Sequence, residues 1–599
     1  MGSVGTLGSG LRSGSRVVGV ALLRRSVWLI IGACLATFAR TDAAENAASA
    51  ARLNTLATRY VGEVVANDPT IVYDTGLTTT EHDRFADRTP KGLTKFAAKE
   101  DVDLAELKTL DPAALPASSR AAYAVLREML EADIQMRVCK TELWNVNHFA
   151  GWQSAFADVA DAQPVGTPAA RAQALKRWSS LPHYVDVEIA NLKEGLRQGY
   201  SAPQSVVRRV IAQMDQLSAL AADKSPFYSP AKRDADPVFH AALGRLITGG
   251  INPALRRYGE YLKNQYLPKA REGVAVSDLP DGAACYQAFL RMNTTLNRSP
   301  QEVFDLGRKT VEANQAAVIA LGQRLFGLSD FRSIVARSKT RPEDHFQSQD
   351  ELLSYSRGLL AKAKARSTAL VEALPLQDVV IEPERDFEES AGVSSHYDAI
   401  PDTAKPGTYR IELGNWRAQT RGDAAITVVH EAWPGHHLQI ALARQLQPGT
   451  PLSQLSFNAA YIEGWARNAE ALAEEAGIYD NDDALILRRA WPARGMVVDP
   501  GLHAMKWSRQ QAVDYIVASG RFDSKQADDT VDRIAVLPGQ LTAYDSGGLE
   551  FRALRAEAEA ALGTRFDLRR FNTAAIEEGV VPLGELRAHV LAWIRSQQP

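Results

Sequence analysis

The chain has 599 residues, of which 45% are hydrophobic, enough to bury a large core. A formal net charge of -3 leaves no basic footprint for nucleic acid, so no nucleic-acid partner is expected. Three cysteines in such a length exclude a scaffold built on disulfides.

At the N-terminus, Arg24-Arg25 precedes an apolar run from Val27 to Ala36, followed by Arg40 and the small residues Ala43-Ala44. A basic start, an apolar stretch too short to span a bilayer comfortably and small residues at a cleavage point make an export signal. Residues 1–43 are therefore expected to be a signal peptide or lipoprotein signal, and the protein periplasmic or outer-membrane-associated. Ile31-Gly32-Ala33-Cys34 offers a second processing point, at which a lipidated Cys34 would attach the chain to a membrane. The paired arginines suggest export of the folded protein.

Ala-rich amphipathic stretches such as Ala121 to Met136 and Ala172 to Leu196 predict an N-terminal helical region over 44–280. Pro280-Asp281-Gly282 marks a soft boundary with a second region, 281–599, and the two halves are expected to form one compact unit. Cys139 and Cys285 stand on either side of that boundary; whether they pair is left open.

Val379-Val380-Ile381 is a short β-branched run, and Thr408 to Leu413 alternates side-chain types with period two. Both read as strands. An exposed edge strand here would let an extended peptide add alongside it; an ordinary hairpin is the other reading.

Asp423 reads as the N-cap of a helix carrying Ala424, Ile426, Val428 and Val429 into His430-Glu431-Ala432-Trp433-Pro434-Gly435-His436-His437. Three imidazoles and a carboxylate in eight residues suggest a metal site, but the position four residues after His430 is Pro434. His437, seven residues on, regains the helix face, though a rise of about 10.5 Å would separate its alpha carbon from that of His430. His436 can join His430 only if the helix breaks, and Pro434-Gly435 supplies a break. His430 and His436 are thus the favoured ligands, with His437 the alternative. Downstream, Glu463 and Glu470 share a helix face two turns apart, so one of them can reach the same metal. Glu463 is chosen as third ligand, on a helix folding back beside the first; Glu470 is then a supporting group or a solvated charge.

The chain resembles the bacterial proteins grouped as domain of unknown function family 885. The resemblance lies in His-Glu-x-x-Pro-Gly-His-His-Leu-Gln at 430–439, Glu-Gly-Trp-Ala at 463–466, Val498 to His503, Trp507 to Ala512, Pro538-Gly539-Gln540 with Tyr544, and Ala561 to Asp567. It implies a mainly α, large helical zincin-like fold with a deep cleft and a small β element next to the metal-site helix. It further implies a Zn2+-dependent peptidase of the gluzincin type, with His430, His436 and Glu463 as ligands and Glu431 as general base. Peptides are the implied substrate. Tyr544 and His503, in the resembling segments, become candidate donors to the oxygen of the attacked carbonyl. Two departures stand out. Asp545 and Asn572 occupy positions where the family tends to have a basic residue and His, and Asp545 bears on substrate preference.

Two other classes compete. Two His and one carboxylate can hold iron for oxygen chemistry, and the fold can serve as a catalytically inactive binding lipoprotein.

Overall fold

The structure is a computed structural model that describes residues 46–384, 394–400, 402–446 and 449–598. The export segment, with Cys34 and Ala43, lies outside the described residues.

Helices account for 71% of the molecule and strands for 3%, which makes the fold mainly α as expected. Local chemistry sets many helix ends. The helix Pro300–Phe326, for example, begins at a capping box in which Ser299 and Glu302 satisfy each other's backbone donors. It ends at Gly327, whose φ of 68° suits a residue without a β-carbon.

The two largest apolar cores each draw on both sides of the Pro280 boundary. One packs Leu53, Leu107 and Leu126 together with Val428, Trp433, Trp465 and Phe551. The other packs Trp178, Val207 and Leu255 with Leu502, Ile516 and Ile534. A disulfide between Cys139 and Cys285, 146 residues apart, adds a covalent tie across the boundary and answers the question left by the sequence.

Three short strands form one sheet: β1, Val379–Pro383; β2, His396–Asp398; and β3, Gly407–Ile411. Both expected strands are present, and β2 adds a third. The order is β1-β3-β2, with β1 parallel and β2 antiparallel to β3. Thr408 to Ile411 therefore occupies the centre, with partners on both sides, and the edge positions fall to β1 and β2. Tyr409 and Ile411 are buried on this central strand. Gly407 has a steric reason: a β-carbon there would collide with the Tyr397 ring on β2.

Six helices position the candidate site: α1, Arg421–Glu431; α2, His436–Leu446; α3, Ala459–Glu475; α4, Gly495–His503; α5, Ser524–Val536; and α6, Gln540–Leu562. The N-cap of α1 is Thr420, whose hydroxyl accepts from the Asp423 N–H at 3.1 Å. Asp423, expected to be the cap, sits three residues inside and accepts from the Thr420 hydroxyl while pairing with Arg521. Either oxygen-bearing side chain can cap a helix; the extended backbone of Thr420 decides which one does.

Helices α3 and α6 cross at their glycines. A β-carbon on Gly464 would lie 2.5 Å from the Gly547 α-carbon, and one on Gly547 would strike the Ala460 carbonyl. Two residues without side chains let these backbones touch, which brings Tyr544 on α6 beside the acidic face of α3.

Candidate metal centre

Helix α1 stops at Glu431 because Ala432 leaves helical geometry, with φ -117° and ψ -94°. The chain turns through Trp433 and Pro434, joined by a cis peptide, and restarts at His436. Gly435 passes directly over the end of α1, where a β-carbon would collide with the His430 and Val429 carbonyls. Trp433 is fully buried, and the Trp465 indole donates to the Pro434 carbonyl at 2.9 Å. These contacts hold the bend in place, so His430 and His436 close on one another despite lying six residues apart. Their ring centroids are 4.8 Å apart and the planes are perpendicular.

Both Nε2 atoms face the same carboxylate oxygen. Glu463 Oε2 lies 3.2 Å from His430 Nε2 and 3.6 Å from His436 Nε2. A tetrahedral ion with zinc–ligand bonds of about 2.0–2.1 Å separates its ligand atoms by about 3.3–3.4 Å. The two observed distances bracket that spacing, whereas a charge-assisted hydrogen bond prefers about 2.7–2.9 Å. Glu431 stands alongside: His430, Glu431 and His436 offer ligand atoms within 4.8 Å of one another.

Glu470 has a definite place. Its Oε1 lies 3.0 Å from His430 Nδ1 and accepts from Arg467 Nη1 at 2.8 Å. A carboxylate on Nδ1 keeps a proton on that nitrogen, so that Nε2 is the atom a metal would take, a common support for a metal-bound imidazole. Arg467, which the sequence reading passed over, could have been found by spacing: it lies three residues before Glu470 and four after Glu463.

The local charge favours a cation. Burial opposes charging His430, but the hydrogen bonds of Glu463 and Glu470 prevail and push its imidazole up to about 10. Burial likewise opposes ionising Glu463 and Glu470, yet the imidazoles hold Glu463 far below its usual range and Arg467, with His430, holds Glu470 down to about 2. Glu431 is raised by burial, with His430 and His436 pulling the other way. Three carboxylates thus surround two imidazoles, with Arg467 as counter-charge. The donor set of two imidazole nitrogens and a carboxylate suits zinc, so the residues fit the ion the sequence suggested.

His437, the alternative ligand, is engaged elsewhere. Its Nε2 donates to the Gln377 carbonyl at 3.1 Å and its Nδ1 accepts from the Tyr397 hydroxyl at 2.9 Å. Burial depresses it to about 4, which keeps it neutral. It ties the bend to the sheet, while His436 remains free to face Glu463.

Of the two proposed donors, the structure brings only Tyr544 to the cluster. Its ring stacks on His430 with centroids 6.5 Å apart, and its hydroxyl accepts from Gln540 Nε2 at 3.3 Å. His503 has no nitrogen to offer: Nδ1 accepts from the Val276 N–H at 3.0 Å and Nε2 donates to the Ile534 carbonyl at 3.1 Å. Burial depresses its pKa to about 3. His503 is a packing residue between α4 and α5, which corrects the role drawn from its position in the sequence.

Asp499, from a resembling segment, and Asp545 and Asn572, the two departures, make hydrogen bonds within the fold. Asp499 accepts from the Tyr286 hydroxyl and from the N–H of Gly539, the residue that opens α6. Asp545 is buried and accepts from the Ala493 N–H at 2.6 Å. Asn572 is likewise buried and donates to the Leu370 carbonyl.

The chain belongs to the family described as bacterial protein of unknown function (DUF885), whose pattern matches residues 69–590. Among solved structures, "the putative lipoprotein from Colwellia psychrerythraea" superposes with a TM-score of 0.83 at 20% identity, covering 92% of this chain and 100% of its own. "A putative lipoprotein of unknown function from Shewanella oneidensis" gives 0.74 at 16% identity, with coverages of 90% and 99%. These likenesses establish a shared fold. No curated protein matches the sequence.

Proposed function

We propose that the protein is an exported zinc peptidase acting on short peptides, with a helical zincin-like fold and a substrate cleft between its halves. The observation that carries this reading is the convergence of His430 Nε2 and His436 Nε2 on Glu463 Oε2, at 3.2 and 3.6 Å, beside Glu431. His430, His436 and Glu463 would hold the ion. When bound, zinc supplies Lewis acidity to the attacked carbonyl and the attacking water.

Glu431 accepts a proton from that water as its oxygen bonds to the peptide carbonyl carbon. Burial raises the affinity of Glu431 for a proton, which suits a base that must later give it up. The Tyr544 hydroxyl donates to the carbonyl oxygen as negative charge develops there. As the C–N bond breaks, Glu431 passes its proton to the leaving amine, and the products are a carboxylate and an amine. Glu470 and Arg467 keep His430 oriented throughout.

Export is supported by the N-terminal signal and by the Cys139–Cys285 disulfide, a bond that persists in oxidising compartments. Cys34 is the candidate lipid attachment point, and both solved neighbours carry the word lipoprotein in their descriptions. No described helix is long and apolar enough to cross a membrane.

The test is incubation of the purified protein with a diverse peptide mixture, with and without chelator, read by mass spectrometry beside metal analysis. Chelator-sensitive cleavage with about one zinc per chain is expected. Chelator-insensitive products, or iron with oxygen consumption in place of cleavage, would overturn the reading.

A further inference from the structure

Arg533 lies in the last turn of α5, close to the candidate metal centre. Arg467 is paired with Glu470, and Arg488 and Arg489 with Glu474. Arg533 has no carboxylate partner among the described residues. Its Nη2 donates to the neutral Gln540 amide oxygen at 2.9 Å, and its buried Nε has no acceptor.

Its surroundings form a continuous polar edge leading to the centre. Gln540 bridges Arg533 to the Tyr544 hydroxyl, which itself stands close to both the Arg533 guanidinium and Glu463. The guanidinium lies 5.1 Å from the ring of Phe149, an aromatic side chain 51% exposed. Phe149 sits on a loop of the N-terminal half that Asn147 fastens to the Val536 carbonyl at the end of α5. The position thus combines a cation with unused donors, an amide, a hydroxyl and an accessible apolar ring.

A guanidinium fork matches a carboxylate with two parallel hydrogen bonds. The spacing also suits a peptide end. Gln540 links Arg533 to Tyr544, whose ring is centred 6.5 Å from that of His430, so a chain end held at Arg533 directs the preceding peptide bonds towards His430 and His436.

We propose that Arg533, with the Gln540 amide, captures the free C-terminal carboxylate of the substrate, so that the protein is a carboxypeptidase. The inference rests on the peptidase reading and deepens it. Phe149 would pack against the side chain of the terminal residue.

Binding is measured by calorimetry on the Glu431→Gln protein, so that turnover does not intrude. The probes are Ala-Ala-Ala as free acid, the same peptide as C-terminal amide, and Ala-Ala-Glu amide, which carries its carboxylate on a side chain. The free acid is expected to bind at least about 10-fold more tightly than either amide, as for a charge-assisted pair. Arg533→Ala, made in the same background, should bring that ratio near one, and Arg533→Lys should keep part of it, which separates lost recognition from a lost fold. Equal binding of acid and amide, or no binding of either, overturns the proposal. Equal binding of Ala-Ala-Glu amide and the free acid overturns the assignment to the chain end. Preferential binding of the acid by a wild-type protein that cleaves nothing would retain the carboxylate site and sink the peptidase reading. Cleavage of acid and amide at equal rates would do the reverse.

Discussion

Glu470 reaches His430 Nδ1 across 3.0 Å, while Glu463, seven residues earlier on the same helix, faces Nε2 of the same ring. One imidazole is gripped at both nitrogens by carboxylates two turns apart on α3. Glu470→Gln should preserve an acceptor for the ring but remove the charge that also engages Arg467. Zinc affinity is expected to fall by about 10- to 100-fold in a competition titration against a chelator. An affinity unchanged within experimental error would mean that Glu470 only packs.

Glu431→Gln should separate metal binding from chemistry. The ligand set is untouched, so the metal content should match wild type. Peptide cleavage should drop by about 100- to 10,000-fold, the usual worth of a positioned base. Wild-type rates in this variant would remove Glu431 from the mechanism.

Gly464→Ala tests the crossing of α3 and α6. The new methyl group would sit 2.5 Å from Gly547 backbone atoms, which cannot swing aside as a side chain would. A loss of about 1–3 kcal/mol in urea unfolding is expected, together with weaker zinc binding as Tyr544 and Glu463 move apart. Gly358→Ala is the control: it lies in the helix Gln349–Ser367, where a β-carbon meets nothing within 4 Å. That change should be neutral or stabilising by up to about 1 kcal/mol.

Asp499 should give stability a measurable pH dependence. Burial pushes its carboxyl up to about 7, and the hydrogen bonds from Tyr286 and Gly539 offset only part of that. An unfolded Asp titrates near pH 3.9, so between about pH 4 and 7 the folded chain holds a proton that the unfolded chain has released. The contribution of this group therefore declines as pH rises through that window and levels off above it. Asp499→Asn, which keeps one acceptor oxygen, should flatten the thermal-midpoint profile between pH 5 and 7 relative to wild type. Parallel profiles for the two proteins would count against a proton on Asp499.

Much of the candidate site was readable because a metal-binding pattern restricts both residue type and spacing. His430, His436 and Glu463 follow from asking how an interrupted helix could still gather three donors, and the bend at Pro434-Gly435 answers it. The same reasoning left Glu470 between two roles, because a buried carboxylate and a solvated one look alike without the Arg467 contact. His503 was misread because its segment resembles the family's for a structural reason: it seats α4 against α5. Asp545, legible only as a departure from the family, braces the turn at Ala493. Tyr397 gave no signal, because its role depends on β2 lying beside β3 and on Gly407 leaving room for its ring. Strand propensity found Thr408 to Ile411 but could not tell a central strand from an edge, which depends on pairing between distant segments.

The two mixed cores limit how this molecule can be taken apart. Val428, Trp433 and Trp465, which flank the candidate metal centre, share their packing with Leu53, Leu107 and Leu126 from near the start of the described chain. A fragment beginning at the Pro280 boundary would retain every proposed ligand yet expose the apolar backs of the helices that carry them. Such a piece should aggregate when expressed alone, whereas co-expression of the two halves, or single substitutions in the intact chain, keeps those surfaces covered.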